Sequence, residues 1–339
     1  MRAGCVALAF LVACGGHYGG KPNAAKPADT KGGIERAALP YAILDARTGR
    51  QVDTEQFWQQ LGTQRVVCVG EDHQNPHHHW VQLEVMSQLA AHHKGKKLAL
   101  GMEMFQRPFQ GVLDDYAAKR IDEATLLSRS GWDDRWGYDY GFYGPTIRAA
   151  VAVGAALVAL NAPRELTKAV SHKGIAGLAP DEKAQLPEVN LDDKSHRAWF
   201  DSLMEGMGGA GGHTKAPEEA KPDDTKPDDK AADKLPEGHP AMPPREMPSA
   251  DNIYAAQVVW DESMADGAAK WAQANATGEM VLLAGNGHCH DSAIVNRVKR
   301  RGVAQVVSVR PVLDTEGNVA EALAKPMNDY LVVLQLPKQ

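Results

Sequence analysis

The chain carries the same short unit twice, and few folds can use it. Val66-Val67-Cys68-Val69 is a run of apolar, mostly β-branched residues followed at once by Gly70-Glu71-Asp72-His73. Val281-Leu282-Leu283-Ala284 is a second apolar run, followed by Gly285-Asn286-Gly287-His288. Each reads as a short buried strand ending in Gly-x-x-His. Asn75 and Pro76 signal a helix start just after the first unit. In open parallel sheets, ligands bind outside the carboxyl ends of the strands. Two such strands, parallel and near each other, bring His73 and His288 to one rim.

The rest of the pattern supports a parallel sheet. Apolar runs at 41–45, 66–69, 98–103 and 156–160 alternate with amphipathic stretches at 54–61, 76–92, 108–119, 121–127 and 145–154. That alternation predicts an α/β fold with a mostly parallel sheet flanked by helices. It stops after Pro163-Arg164, where only helical stretches follow: 165–173, 181–186, 194–204 and 251–275. Strands return at 281–284, 303–309 and 330–336. The expected organisation is an α/β core at 39–163 and 280–339, with a small all-helical cap inserted at 164–279. Within the cap, residues about 206–249 repeat Lys-Pro-Asp-Asp and hold almost nothing to bury. Such a composition cannot offset its ordering entropy, so a disordered insertion is expected there.

Residues 1–14 carry one arginine and then an apolar run ending Leu11-Val12-Ala13-Cys14. This resembles a bacterial lipoprotein signal, which would make Cys14 the lipidated mature N-terminus. The run is too short to span a bilayer, for which roughly 20 residues are needed. Gly15 after the cysteine implies, by the same resemblance, the outer membrane of the cell envelope. Residues 15–38 read as a flexible tether. Of the four cysteines, this leaves Cys68 in a strand and Cys289 in a loop. A Cys68–Cys289 bond is open to a protein in an oxidising compartment, but a buried thiol at Cys68 is the expectation. Net charge is −6, with 37 basic against 43 acidic residues, so no nucleic-acid footprint is present.

The polar groups expected at strand ends are Glu71, Asp72, His73, Glu103, Asn161, Arg164, His288, His290 and Asp291. His73, His288 and Glu103 suit a divalent metal such as Zn or Mn, with Glu71 or Glu103 as general base. They would equally hold a cofactor by hydrogen bonds, with Arg164 taking a carboxylate. His77, His78 and His79 point in different directions on a helix and cannot converge on one ion; a solvated surface is expected for most of them. The aromatic segment 131–144 holds Trp132, Trp136, Tyr138, Tyr140, Phe142 and Tyr143. It would either plug the core or line a flat apolar ligand such as a porphyrin, with a tyrosinate on ferric iron.

Six blocks resemble a known family. They are Val69-Gly70-Glu71-Asp72-His73, Gly101-Met102-Glu103-Met104-Phe105, Tyr143-Gly144-Pro145, Ala159-Leu160-Asn161-Ala162-Pro163-Arg164-Glu165, Ala256-Gln257-Val258-Val259-Trp260-Asp261 and Ala284-Gly285-Asn286-Gly287-His288. In this order they resemble the ChaN family of bacterial haem-binding lipoproteins associated with iron uptake. The resemblance implies haem between core and cap, a homodimer sharing it, an outer-membrane haem receptor as partner, and a tyrosine on the iron. Tyr143 is the first candidate, from the Tyr-Gly-Pro block, followed by Tyr140 and Tyr254. His73, His288, Asn161 and Arg164 complete the expected haem site. The family usually has a basic residue after the tyrosine, where this chain has Gly144. The paired Gly-x-x-His with Glu also resembles a wider superfamily with erythromycin esterases and the TIKI and TraB metal-dependent groups. A lipid-anchored haem-binding protein, not an enzyme, is therefore the leading expectation, and a metallohydrolase is the alternative.

Overall fold

The computed structural model describes residues 39–92, 95–206, 248–315 and 317–335. The expected leader with Cys14, the tether, His93 and residues 207–247 of the insertion lie outside the described residues. The strands are β1 (Tyr41–Asp45), β2 (Gln51–Val52), β3 (Val66–Val69), β4 (Leu98–Gln106), β5 (Ala156–Asn161), β6 (Glu279–Leu283), β7 (Val306–Leu313) and β8 (Tyr330–Leu334). They form one sheet in the order β2-β1-β8-β7-β3-β6-β4-β5. The pairs from β8 to β5 are parallel, while β1 lies antiparallel to β2 and β8. The fold is thus a mostly parallel α/β sheet, as the alternation predicts. Every residue of β3, β4 and β6 is buried, as expected for parallel strands covered on both faces.

The helices are α1 (Thr54–Leu61), α2 (Pro76–His92), α3 (Gln110–Ala117), α4 (Glu123–Ser130), α5 (Trp132–Arg135), α6 (Gly144–Ala152), α7 (Arg164–Lys173), α8 (Pro180–Lys183), α9 (Lys194–Gly206), α10 (Ala250–Ala274), α11 (Asn296–Arg300) and α12 (Asn318–Ala324). Their starts follow side-chain chemistry. Asp53 accepts from the Gln56 N–H at the head of α1, and Asp122 from Thr125 at the head of α4; such caps satisfy backbone donors that a helix start leaves open. Asn75 does the same for His77 ahead of α2. Gly131, at φ 65°, closes α4 in the left-handed region and turns the chain directly into α5. The aromatic segment therefore contains two short helical turns, α5 and Tyr140–Phe142.

Side chains alternate between the faces of the sheet. Val67, Val69, Leu100, Met102, Val281 and Leu283 meet Phe57, Trp80, Val85, Leu89 and Ile147 on one face. Val66, Cys68, Ala99, Met280 and Leu282 meet Met264, Ala265, Ala268, Ala269, Ile294 and Val298 on the other. The helix α10 belongs to two layers. Its C-terminal half lies on the sheet, with alanines at the contact allowing close approach. Its N-terminal half packs with α7 and α9 through Ala255, Ala256, Val258 and Val259. The helical unit is thus continuous with the layer covering that face.

Cys68 of β3 and Cys289 form a disulfide, their Cα atoms 5.7 Å apart. This corrects the expectation of a buried thiol: β3 and β6 are neighbours, so the loop after β6 passes directly over Cys68.

Candidate active rim at the carboxyl ends of three strands

The strand order decides the site. β6 pairs with β3 on one side and β4 on the other, with Val69 opposite Leu283 and Met102 opposite Leu283. The residues just beyond these pairs are consequently neighbours: His73 after β3, His288 after β6, and Glu103 within β4. The two turns touch. A Cβ at Gly70 would run into Asn286 Oδ1, so glycine is needed for close approach, and Asn286 donates to Asp72 Oδ1 at 2.9 Å. Glu103 ties β4 to the second turn, its Oε2 accepting from the Gly285 N–H at 2.7 Å.

Each histidine is held by a buried carboxylate. His73 Nδ1 lies 2.6 Å from Glu71 Oε1 and His288 Nδ1 lies 2.7 Å from Asp261 Oδ1. His288 Nε2 stands 3.5 Å from Glu103 Oε1. Burial would lower both imidazoles, but Glu71 raises His73, and Glu103 and Asp261 raise His288. Glu71 is fully buried. It also accepts from the Tyr143 hydroxyl (2.9 Å) and the Gln82 amide (2.7 Å), and lies 3.2 Å from His79. Burial pushes this carboxyl up, yet His79, His73 and Gln82 outweigh it and hold it at about 2. A carboxylate so fully engaged serves as an anchor for the residues around it.

His78 and His79 are buried, which corrects the expected solvated surface. His78 Nδ1 accepts from the Asp72 N–H (2.9 Å), and burial lowers its pKa to about 4. His79 Nε2 reaches the His73 carbonyl at 3.1 Å. As helix geometry requires, they serve different partners. Gln82 and Asp261 are the supporting residues that sequence reasoning missed. Gln82 sits on the same face of α2 as His78 and His79, a signal that was present; Asp261 is joined to His288 only by tertiary packing.

The tyrosines divide. Tyr143 is 1 % exposed, its hydroxyl turned inward to Glu71, and burial with Glu71 raises its pKa far above the usual range. Tyr140 packs edge-on against Trp132 at 5.1 Å, and its pKa is raised by burial and then by Glu123 and Tyr116. Tyr254 is buried between α9 and α10, against His196 and Phe200. Tyr143 and Tyr254 are buried, and Tyr140 is half-buried with its hydroxyl enclosed, which moves all three down the order of candidate ligands. Tyr138, named with the aromatic segment but not among the three ranked iron ligands, is half-buried with its ring 4.7 Å from His73. Trp136 stands edge-on to the same imidazole at 4.8 Å. Burial, Glu103 and Glu71 raise the Tyr138 pKa.

Asn161 and Arg164 close the rim at β5. Asn161 donates to the Glu103 carbonyl at 2.9 Å, while its Oδ1 is buried without a partner among the described residues. Arg164 is exposed, its guanidinium on the Asp134 carbonyl at 2.6 Å. His290 is buried behind the rim, its pKa lowered by burial to about 3, and Asp291 pairs with Arg47. Among the described residues, no group of three His, Cys, Asp or Glu side chains could hold a metal ion.

Comparison with known proteins agrees with this architecture. A solved structure of ChaN of Campylobacter jejuni, described for its cofacial haem binding, matches with TM-score 0.59 and 16 % identity, over 87 % of this chain and 97 % of that one. At this identity the likeness shows the fold. The type III effector HopBA1 matches at TM-score 0.40 and 10 % identity, over 83 % of this chain and 92 % of that one. No curated protein matches the chain. The family model described as haem-binding uptake, Tiki superfamily, ChaN matches residues 57–298, a span that runs from α1 through both Gly-x-x-His turns to α11. The chain belongs to this ChaN family of the Tiki superfamily.

Proposed function

We propose that this protein is a lipid-anchored, haem-binding component of the cell envelope that takes part in haem and iron uptake. The observation that carries the reading is the rim itself: two imidazoles, each held by a buried carboxylate, beside the rings of Trp136 and Tyr138. The residues suit haem. Aromatic faces accept a flat macrocycle, Arg164 offers a guanidinium to a carboxylate, and the Asn161 Oδ1, without a partner among the described residues, can accept a hydrogen bond. A tyrosine on ferric iron remains the proposed ligation, with Tyr138 now the candidate because it borders the rim. Its raised pKa means that iron must displace the phenolic proton on binding. The Cys68–Cys289 disulfide supports an envelope location, since such bonds persist in oxidising compartments. Lipidation at Cys14, outer-membrane placement, a homodimer on haem binding and a receptor partner complete the proposal.

Titration of the purified protein with hemin tests it. The expected result is a shifted Soret band and a ferric-tyrosinate visible spectrum. Tyr138→Phe should abolish that spectrum and weaken binding about tenfold or more, whereas Tyr140→Phe and Tyr254→Phe should leave both unchanged. A parent protein giving no Soret shift would overturn the haem reading.

A further inference from the structure

A buried polar chain runs away from the rim behind His288. Asp261, on α10, is fully buried and meets a histidine with each oxygen: Oδ1 is 2.7 Å from His288 Nδ1, and Oδ2 is 3.0 Å from His196 Nε2 on α9. The far side of His196 fixes the direction of this chain. Its Nδ1 faces the Arg297 guanidinium and the Tyr254 hydroxyl, each at 3.3 Å. A guanidinium can only donate, so His196 Nδ1 carries the lone pair and its proton sits on Nε2, the nitrogen nearer Asp261, where the contact is close but not aligned as a hydrogen bond. A carboxylate accepts only, so the proton of neutral His288 sits on Nδ1, while the Gln257 amide 3.1 Å from the same nitrogen donates to the Gly287 carbonyl at 3.2 Å. Arg297 also donates to the carbonyls of Ser292 (2.5 Å) and Ala293 (3.0 Å), in the same segment that leaves His288. Its charge is balanced by the buried Glu262, 3.3 Å from Nε.

We propose that Asp261, backed by His196 and Arg297, is the positioning residue of His288, locking one tautomer so that Nε2 is the nitrogen presented to a ligand at the rim. Glu71 stands to His73 as Asp261 stands to His288, so the two halves of the rim are built alike from unrelated segments. A carboxylate on the inner nitrogen of an imidazole fixes the orientation and basicity of the outer one. The groups facing His288 are Asp261 from α10, Glu103 from β4, His73 beyond β3, Arg297 from α11 and His290 of its own loop. Only its binding consequence rests on the haem reading above.

The test is imidazole nitrogen NMR on the labelled full chain, with His288→Gln identifying the His288 signals. The parent should show neutral His288 protonated at Nδ1. Asp261→Asn should redistribute the tautomers and lower the His288 titration midpoint by about one pH unit or more. His196→Gln, which leaves Asp261 in place, should shift it in the same direction by less. In hemin titrations, Asp261→Asn should weaken binding as much as His288→Gln, about tenfold, with the double variant no worse than either. A folded Asp261→Asn protein with unchanged His288 tautomer and titration overturns the proposal. Should Asp261→Asn not fold, an unchanged His288 in His196→Gln overturns it instead. A parent that binds no hemin overturns the haem reading, while the NMR comparison still decides the positioning role.

Discussion

At the scale of single residues, the rim depends on carboxylates that never reach solvent. Glu71 serves His73, Tyr143, Gln82 and His79 together. Replacing it by Gln leaves at least one buried donor facing another donor, and a broken buried pair costs about 3–5 kcal/mol. Glu71→Gln should lower stability by that order in chemical unfolding, whereas exposed Glu165→Gln should change it by under about 1 kcal/mol. The same groups set the pH response. Folded His78 and His290 are held neutral down to about 4 and about 3, so the unfolded chain takes up more protons as pH falls below its ordinary histidine range. Their contribution is present above that range and is lost as pH falls toward their folded values. Glu71, depressed to about 2, adds stability that is complete above the ordinary carboxylate range and lost as pH falls through about 2. His73 and His288, both raised, act oppositely: their contribution is full below the ordinary histidine range and lost as pH rises through their folded values. The unfolding free energy from denaturant titrations should therefore peak near neutrality and fall between pH 6 and 4, by roughly 2–4 kcal/mol. A free energy flat across that interval would contradict the buried neutral histidines. The tyrosines show the limit of reading residues one by one. Tyr143 stands in a family block, yet only packing shows that its hydroxyl points inward while Tyr138 borders His73.

At the scale of elements, two turns meet because glycine lets them. Gly70 admits Asn286, and the disulfide then pins the loop after β6 to β3 across 221 residues of sequence. In the chain-entropy account, closing so long a loop stabilises by up to about 5 kcal/mol. Cys289→Ser, with Cys68→Ser to avoid a stray thiol, should lower the denaturant midpoint and accelerate amide exchange in the His288 loop more than in β4. Equal exchange in both segments would mean that the bond does not hold the loop. Elements were the most legible feature of the sequence. Strands β3, β5, β6 and β8 and helices α1, α2, α7, α9 and α10 lie close to where their periodicity puts them. The aromatic segment was not legible, because its short helices depend on the Gly131 turn and on Trp132 and Tyr143 packing into the core. The burial of His78 and His79 was hidden for a similar reason: a helix with apolar and polar residues on most sides does not announce which face meets the sheet.

At the scale of the whole molecule, the proposed haem site lies on an open rim of one chain, and the family resemblance implies sharing between two copies. Sedimentation of the purified protein should show a monomer that becomes a dimer as hemin is added, in step with the Soret change; a monomer throughout would remove the shared site while leaving haem binding intact. Sequence alone determined the fold class, since alternating apolar runs bounded by turn residues leave a mostly parallel sheet as the way to bury them. It also located two Gly-x-x-His units at strand ends, because those signals are local. It did not determine that β6 enters between β3 and β4, with more than a hundred residues separating it from either in the chain. Tertiary structure decided that adjacency. With it came the meeting of His73, Glu103 and His288, the disulfide, and the buried Asp261 behind the second histidine. These are contacts between segments distant in sequence, and strand pairing and side-chain packing choose them together.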